Sequence, residues 1–235
     1  LELIEININQ TKEIMEYIEK LKYGNLTAEQ EDEIKNDNSV FKKYFEYFIN
    51  EPYPDVSQTM VEISDLQKLI KSKTESDNWK EVKKLITHVD SNSTDVIEMY
   101  VNDIGIEYKK DYLQKISNKL RPFIICLKKH YNRPRPYQVA YYTNQPLYPF
   151  TSETAHSPAY PSGHALQSYF LCKVIAFHNP EKEKEVMEIA ETISKTREVL
   201  GVHYKSDNLF SKYIVDELVK VKEIKDIYFN SKKLG

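Results

Sequence analysis

The chain has 235 residues, of which 40% are hydrophobic and 29% charged, and a formal net charge of −3. These values exclude a disordered chain. They also give no global attraction for nucleic acid or an acidic membrane, so any anion site must be built from local basic residues.

Only five residues are glycine, while Lys, Glu, Ile and Asn recur throughout, which predicts an all-α chain. Leu3, Ile6, Ile14, Ile18 and Leu21 are spaced for one face of a helix over 2–22. Thr27 to Gln30 fits a capping box, and a second helix is expected from there toward Ile49, broken by Glu51-Pro-Tyr-Pro-Asp55. Further helices are expected at about 57–72, 77–89 and 93–104, then over 107–131 with Lys128 in its last turns. Residues 132–162 hold six of the ten prolines and many tyrosines, which predicts a long ordered loop. Helix is expected again over about 163–178 and from Glu181 to about Leu200, with Gly201 as its stop. A last helix is expected from about Lys205 to Lys222.

No apolar run reaches the roughly 20 residues of a membrane-spanning helix, so the expectation is a soluble chain without a transmembrane segment. The chain begins at Leu1 with no basic-then-apolar leader. With no initiator Met, cytoplasmic and periplasmic or secreted locations, the latter after loss of a leader, both stay open. Cys126 and Cys172 lie in apolar stretches and read as core thiols. No linker separates two domains, so 1–235 reads as one domain. Within it, 1–106 serves as helical scaffold or cover and 107–225 as the catalytic core helices. Oligomeric state leaves no mark in the sequence.

Three segments carry chemistry. In the first, Lys128 precedes Asn132-Arg-Pro-Arg-Pro136, and Arg133 and Arg135 are each stiffened by the proline that follows. A stiff guanidinium fork suits bidentate phosphate binding, and Lys128 adds a point charge. By itself this segment also reads as a solvated basic helix end.

The second segment, Pro161-Ser-Gly-His164, reads as a helix start. There Ser162 can cap the helix, Gly163 admits an anion to the backbone, and the free N–H groups face that anion. A capped helix with an incidental His164 is the bland alternative. In the third, Thr196-Arg197-x5-His203-x3-Asp207, the carboxylate of Asp207 can fix the tautomer of His203 and leave its other nitrogen free to attack. Arg197 can return to the same pocket. A surface i,i+4 pair is the alternative. Nothing has the spacing of a metal cage, so no metal is expected and the cations would take its place.

The ordered set Lys-x6-Arg-Pro, Pro-Ser-Gly-His and Thr-Arg-x5-His-x3-Asp resembles the signature of the type 2 phosphatidic acid phosphatase superfamily. That superfamily includes soluble class A acid phosphatases, membrane lipid phosphatases and vanadium-dependent haloperoxidases. The resemblance spans Lys128 to Asp207 with all spacings intact. It implies a helical bundle with the site in its core. It further implies that Lys128, Arg135 and Arg197 bind phosphate together with Ser162 and Gly163, and that His203 is the nucleophile, Asp207 its orienter and His164 the general acid. Two positions depart from the pattern: Thr196 stands for the usual Ser, and Ser211 for a frequent Gly.

The expected activity is therefore that of a soluble, metal-independent phosphatase, acid phosphatase-like, acting on a small phosphorylated substrate. The substrate is a monoester or a diphosphate, cleaved through a phosphohistidine with no cofactor. The main alternative is a vanadate-dependent haloperoxidase, with vanadate bound at His203. A non-catalytic helical binding module is the second. His130 and His156 flank the site in sequence but read as surface residues, and His88 and His178 as residues at helix ends. Tyr137, Tyr141, Tyr142, Tyr148 and Tyr160 either hold an aromatic leaving group or pack.

Overall fold

The computed structural model describes residues 2–108 and 110–230, but not the side chains of 2–10 and 110, so the expected roles of Leu3 and Ile6 lie outside the described residues. Twelve α-helices and two 3₁₀ turns account for the regular structure among the described residues, with no strand, as expected of an all-α chain.

The order begins with α1 (Glu2–Lys20) and α2 (Ala28–Lys35), followed by a 3₁₀ turn (Val40–Tyr44) and α3 (Phe45–Phe48). Next come α4 (Val56–Thr74), α5 (Trp79–Ser91), α6 (Ser93–Asp103) and α7 (Lys110–Tyr131). They are followed by α8 (Pro136–Tyr142), α9 (Gly163–His178), α10 (Glu183–Val199), α11 (Lys205–Leu218) and α12 (Lys222–Tyr228).

Three sequence expectations need correction. The helix expected from Thr27 toward Ile49 stops at Lys35. Asn36-Asp-Asn-Ser39 intervenes, and Asp37 accepts the Ser39 N–H at 2.8 Å, the local side-chain bond by which Asx residues compete with a helix. The long loop at 132–162 contains α8, started by Pro136 at its first position, where the missing N–H costs nothing. The final helix ends at Leu218, and α12 follows after a short turn.

α9 is the central element. It buries Ala165, Leu166 and a nearly unbroken run from Ser168 to Ala176. A helix buried on all sides must be apolar all round, and this one is packed by α7, α10 and α11. Phe170 sits edge-on to Phe41, so the segment before α4 closes over the same core as the later helices. Truncating such a ring costs about 3–5 kcal/mol. Cys172 is buried in this core, but Cys126 is only half-buried, which corrects its reading as a core thiol.

The three motif segments lie at the ends of these helices. α7 ends at Asn132, whose φ of 49° is the left-handed conformation that terminates a helix. α10 ends at Gly201, with φ of 80°. A side chain there would also meet the Pro149 backbone at 3.0 Å, so glycine is required on both counts.

Candidate active site

Lys128 stands in the last turn of α7, Gly163 and His164 in the first turn of α9, and Arg197 in the last turn of α10. Together with Arg135 and His203 they line one cavity of about 250 Å³. Lys128, Arg135, Arg197 and His203 are 4%, 2%, 1% and 2% exposed, which rules out the reading of solvated charges. Charges this buried need partners. Those of Lys128 and Arg135 are largely neutral: Lys128 donates to the Pro158 carbonyl, and Arg135 to the carbonyls of Ser157 (2.9 Å) and Val202 (2.8 Å). The cavity thus keeps a surplus of positive charge.

Burial holds Lys128 well below the ordinary lysine range, and Arg135 adds to this. Burial also lowers Arg135, to about 10. An anion in the cavity would reverse both trends.

His203 precedes α11, and Asp207 lies in the first turn of that helix. His203 Nδ1 is 2.9 Å from Asp207 Oδ2, and Arg135 Nη1 is 2.9 Å from His203 Nε2. A guanidinium can only donate. Nε2 must therefore carry the lone pair, with the proton on Nδ1 facing the carboxylate. The tautomer is that of a nucleophile aimed into the cavity. Burial, then the cations Arg135, Lys128 and Arg197, hold His203 well below the ordinary imidazole range.

Asp207 is fully buried and accepts two further bonds, from the Tyr204 N–H at 2.9 Å and from Arg133 Nη1 at 2.6 Å. Burial pushes its carboxyl up to about 6, against the pull of Arg133 and the Tyr204 N–H. Arg133 continues outward to Glu62 at 3.1 Å, and its guanidinium lies over the Tyr204 ring at 3.8 Å. Glu62 in turn accepts the Ser206 N–H at 2.6 Å, at the start of α11. The His203 imidazole is thus backed by a chain of alternating charge: Asp207, Arg133, Glu62.

Arg133 and Glu62 were not legible as site residues. The prolines mark Arg133 and Arg135 as equally stiff, but Arg133 turns away from the cavity to hold the orienting carboxylate. Glu62 comes from α4, distant in sequence and without a motif.

Ser162 occupies the N-cap position of α9, but its side chain caps nothing, which corrects that expectation. Its Oγ is buried without a partner, as is Arg197 Nε. Arg197 lines the cavity, where such an orphaned atom is what a bound oxyanion would satisfy, whereas Ser162 is not among the residues that line it. The first α9 bond runs from Leu166 N–H to the Ser162 carbonyl, so Gly163 and His164 N–H have no helical partner.

Ser211, at the departure from the family pattern, joins two motif segments. Its hydroxyl lies 2.9 Å from the Ser162 carbonyl and 2.7 Å from that of Asp207, while Ser162 N–H donates to Asp207 O at 3.2 Å. These bonds rivet the start of α9 to the first turn of α11.

A further residue without a sequence signal is Asp90, in the last turn of α5. It accepts from Arg197 Nη1 at 2.7 Å, from Ser152 Oγ at 2.7 Å, from Glu153 N–H at 2.6 Å and from Thr154 Oγ1 at 2.8 Å. Burial raises its carboxyl, but Arg197 and these donors outweigh that and bring it to about 2. Asp90 thereby fixes Arg197 and ties the 150–155 loop to the site. Burial, then Arg197, hold His164 well below the ordinary imidazole range.

The remaining candidates fall away. His130 and His156 are exposed and outside the cavity, as expected. None of the five loop tyrosines lines it. Tyr141 and Tyr148 are 79% and 81% exposed, and Tyr160 stacks on Phe210 in the core. Their role as a holder of an aromatic leaving group is not supported.

Residues 116–214 match the model of the PAP2 superfamily. No curated protein sequence matches the chain. Among solved structures, the transmembrane PAP2-type phosphatidylglycerolphosphate phosphatase of Bacillus subtilis aligns at 18% identity with a TM-score of 0.45. It covers 77% of this chain and 94% of that one. No described helix of this chain is long and apolar enough to cross a membrane.

Proposed function

We propose that the PAP2 superfamily domain of this chain hydrolyses phosphate monoesters through a phosphohistidine at His203, without a metal. The superfamily match implies phosphatase chemistry. The observation that carries the finer reading is the contact of Arg135 with His203 Nε2, opposite the Nδ1 contact with Asp207. It leaves one tautomer, with the attacking nitrogen beside three buried cations.

The substrate phosphoryl group enters between Lys128, Arg135, Arg197 and the α9 N–H groups, which take the charge of its equatorial oxygens. The Nε2 lone pair of His203 forms the P–N bond as the bond from phosphorus to the leaving oxygen breaks. The electron pair goes to that oxygen, and His164 supplies its proton. Asp207 stabilises the cationic imidazole that forms. Water then attacks phosphorus, His164 takes its proton, the P–N bond breaks and phosphate departs.

Burial, then Arg197, oppose a charge on His164. A phosphate dianion reverses that field and lets His164 carry the proton it donates. Among the described residues no cluster of His, Cys, Asp or Glu is arranged to hold a metal ion. The three cations supply the charge that a metal supplies in other phosphatases.

The test is acid-quench trapping with p-nitrophenyl phosphate, followed by mapping of the phosphorylated residue. We expect label on His203, none in His203→Ala, and undiminished turnover after exhaustive chelation. Label on another residue, or activity lost to chelator and restored by Mg²⁺ or Zn²⁺, would sink this mechanism.

A further inference from the structure

Beyond its cationic floor, the cavity has a mouth of a different chemistry. One face of α7 supplies Gln114, Ser117 and Asn118 before it reaches Ile124 and Lys128. These positions recur at helical spacing, so they form a stripe about 21 Å long that runs down to the phosphate end. Across from it, Gln167 lies one turn after His164 on α9, on the side where the leaving group departs.

The polar groups of the mouth are bound to one another. Thr94 Oγ1 is 2.6 Å from Asn92 Oδ1 and 2.8 Å from Gln114 Oε1, and Gln114 Nε2 donates to Asn118 Oδ1 at 2.9 Å. Gln167 Nε2 donates to the Ser117 carbonyl at 3.2 Å. Each bond occupies one end of an amide and leaves the other end for a ligand. One end of the Asn118 amide is left for a ligand, and Gln167 Oε1 is left as an acceptor. Pro122 has no N–H, which removes the helical donor of the Asn118 carbonyl and adds an acceptor beside them.

Three classes of leaving group fit poorly. No Phe, Tyr or Trp is among the described residues of the cavity, so a nucleobase has nothing to stack on. Ile124 and Ile125 are its only large aliphatic residues, too little to cover an acyl chain. The extra cation at the mouth, Arg121, is held bidentately by Glu33 at 2.7 and 2.9 Å, so a second anionic group finds no unpaired charge. Hydroxyl groups, each both donor and acceptor, match fixed amides of both kinds.

We propose that Asn118 and Gln167, with Gln114 holding Asn118 in place, recognise a polyhydroxylated, non-aromatic leaving group, making the substrate a sugar or polyol monophosphate. This deepens the phosphatase reading of the same site and rests on it.

The test compares kcat/KM for a hexose monophosphate, a nucleoside monophosphate, dioctanoyl phosphatidic acid and p-nitrophenyl phosphate. The hexose phosphate is expected to exceed the nucleotide and the lipid at least tenfold. Asn118→Ala and Gln167→Ala should each lower kcat/KM for hexose phosphate about tenfold, mainly through KM, and leave nitrophenyl phosphate turnover unchanged. Preference for the lipid or the nucleotide, or equal losses on all substrates, overturns the proposal.

Titration calorimetry with the His203→Ala variant reads the mouth without turnover. Hexose phosphate should bind about tenfold tighter than inorganic phosphate, and the gain should vanish on adding either substitution. Equal binding of the two ligands overturns the proposal even if the protein hydrolyses nothing, whereas failure of nitrophenyl phosphate hydrolysis alone counts against the phosphatase reading.

Discussion

Replacing Asp207 by Asn tests the relay behind the nucleophile. The carboxylate accepts from His203 Nδ1 and Tyr204 N–H on Oδ2, and from Arg133 Nη1 on Oδ1. An amide has one oxygen for these three donors. If it faces His203 and Tyr204, the amide NH₂ meets the Arg133 guanidinium, donor against donor. If it faces Arg133, the NH₂ meets His203, the ring must take the other tautomer, and its Nε2–H then confronts Arg135. Both outcomes remove the charge that supports a cationic imidazole.

Breaking a buried ion pair costs about 3–5 kcal/mol. Arg133 keeps Glu62 at 3.1 Å and Ser206 Oγ at 2.7 Å, so a loss near the lower end of that range is expected. Turnover should fall on the order of 10³- to 10⁴-fold, the scale seen when the carboxylate orienting a catalytic histidine becomes an amide. Urea unfolding and steady-state hydrolysis of p-nitrophenyl phosphate measure the two effects separately. Turnover within tenfold of the parent, or an unchanged unfolding midpoint, would refute the assigned role.

Other outcomes follow from the same geometry. Because Asp207 is pushed up to about 6 by burial and must be ionised to act, kcat/KM should fall as pH drops through about 6. Glu62 raises and Arg133 lowers that carboxyl, so Glu62→Gln should move the acidic limb to lower pH and Arg133→Met to higher pH; shifts of the same sign would discount the relay. His164→Ala should slow alkyl phosphates about 10²- to 10⁴-fold and nitrophenyl phosphate much less, and equal losses on both would remove its role as acid. Asp90, at about 2, has a folded-state value below its unfolded one. It therefore contributes about 2 kcal/mol that is present above pH ~4 and lost as pH falls through ~2. Asp90→Asn should remove that contribution and raise the KM for phosphate esters as Arg197 loses its anchor; an unchanged acid-unfolding profile would contradict this. Vanadate, phosphate-shaped and readily five-coordinate, should inhibit competitively with phosphate. Efficient bromide oxidation by the vanadate-treated protein in peroxide, without ester hydrolysis, would favour the haloperoxidase reading.

Short-range chemistry was legible in the sequence. The Thr27 capping box is present, with Gln30 N–H on Thr27 Oγ1 at 3.2 Å and Thr27 N–H on Gln30 Oε1 at 3.0 Å. Gly201 ends α10 as expected, and the periodic stretches became helices. The segments of Lys128, His164 and His203 could be singled out because a proline, a glycine or an i,i+4 spacing marks each locally. Asp90 and Glu62 carry no such mark. Their roles arise only when α5 and α4 fold against segments 62 to 144 residues later. Arg133 was passed over for a related reason. Its proline neighbour fixes the backbone, but which of two stiff arginines enters the cavity depends on where Asp207 lies.

Arg135 donates to the one lone pair with which His203 can attack. Under the proposed mechanism, the nitrogen that would attack is the one held by the anion binder itself. A neutral electrophile that wanders in gives Arg135 no reason to let go, whereas a phosphoryl oxygen competes for that guanidinium directly. Arrival of the right charge and exposure of the attacking nitrogen become one event. The proposed mechanism would thus place discrimination against uncharged esters in this contact, ahead of any bond-making step.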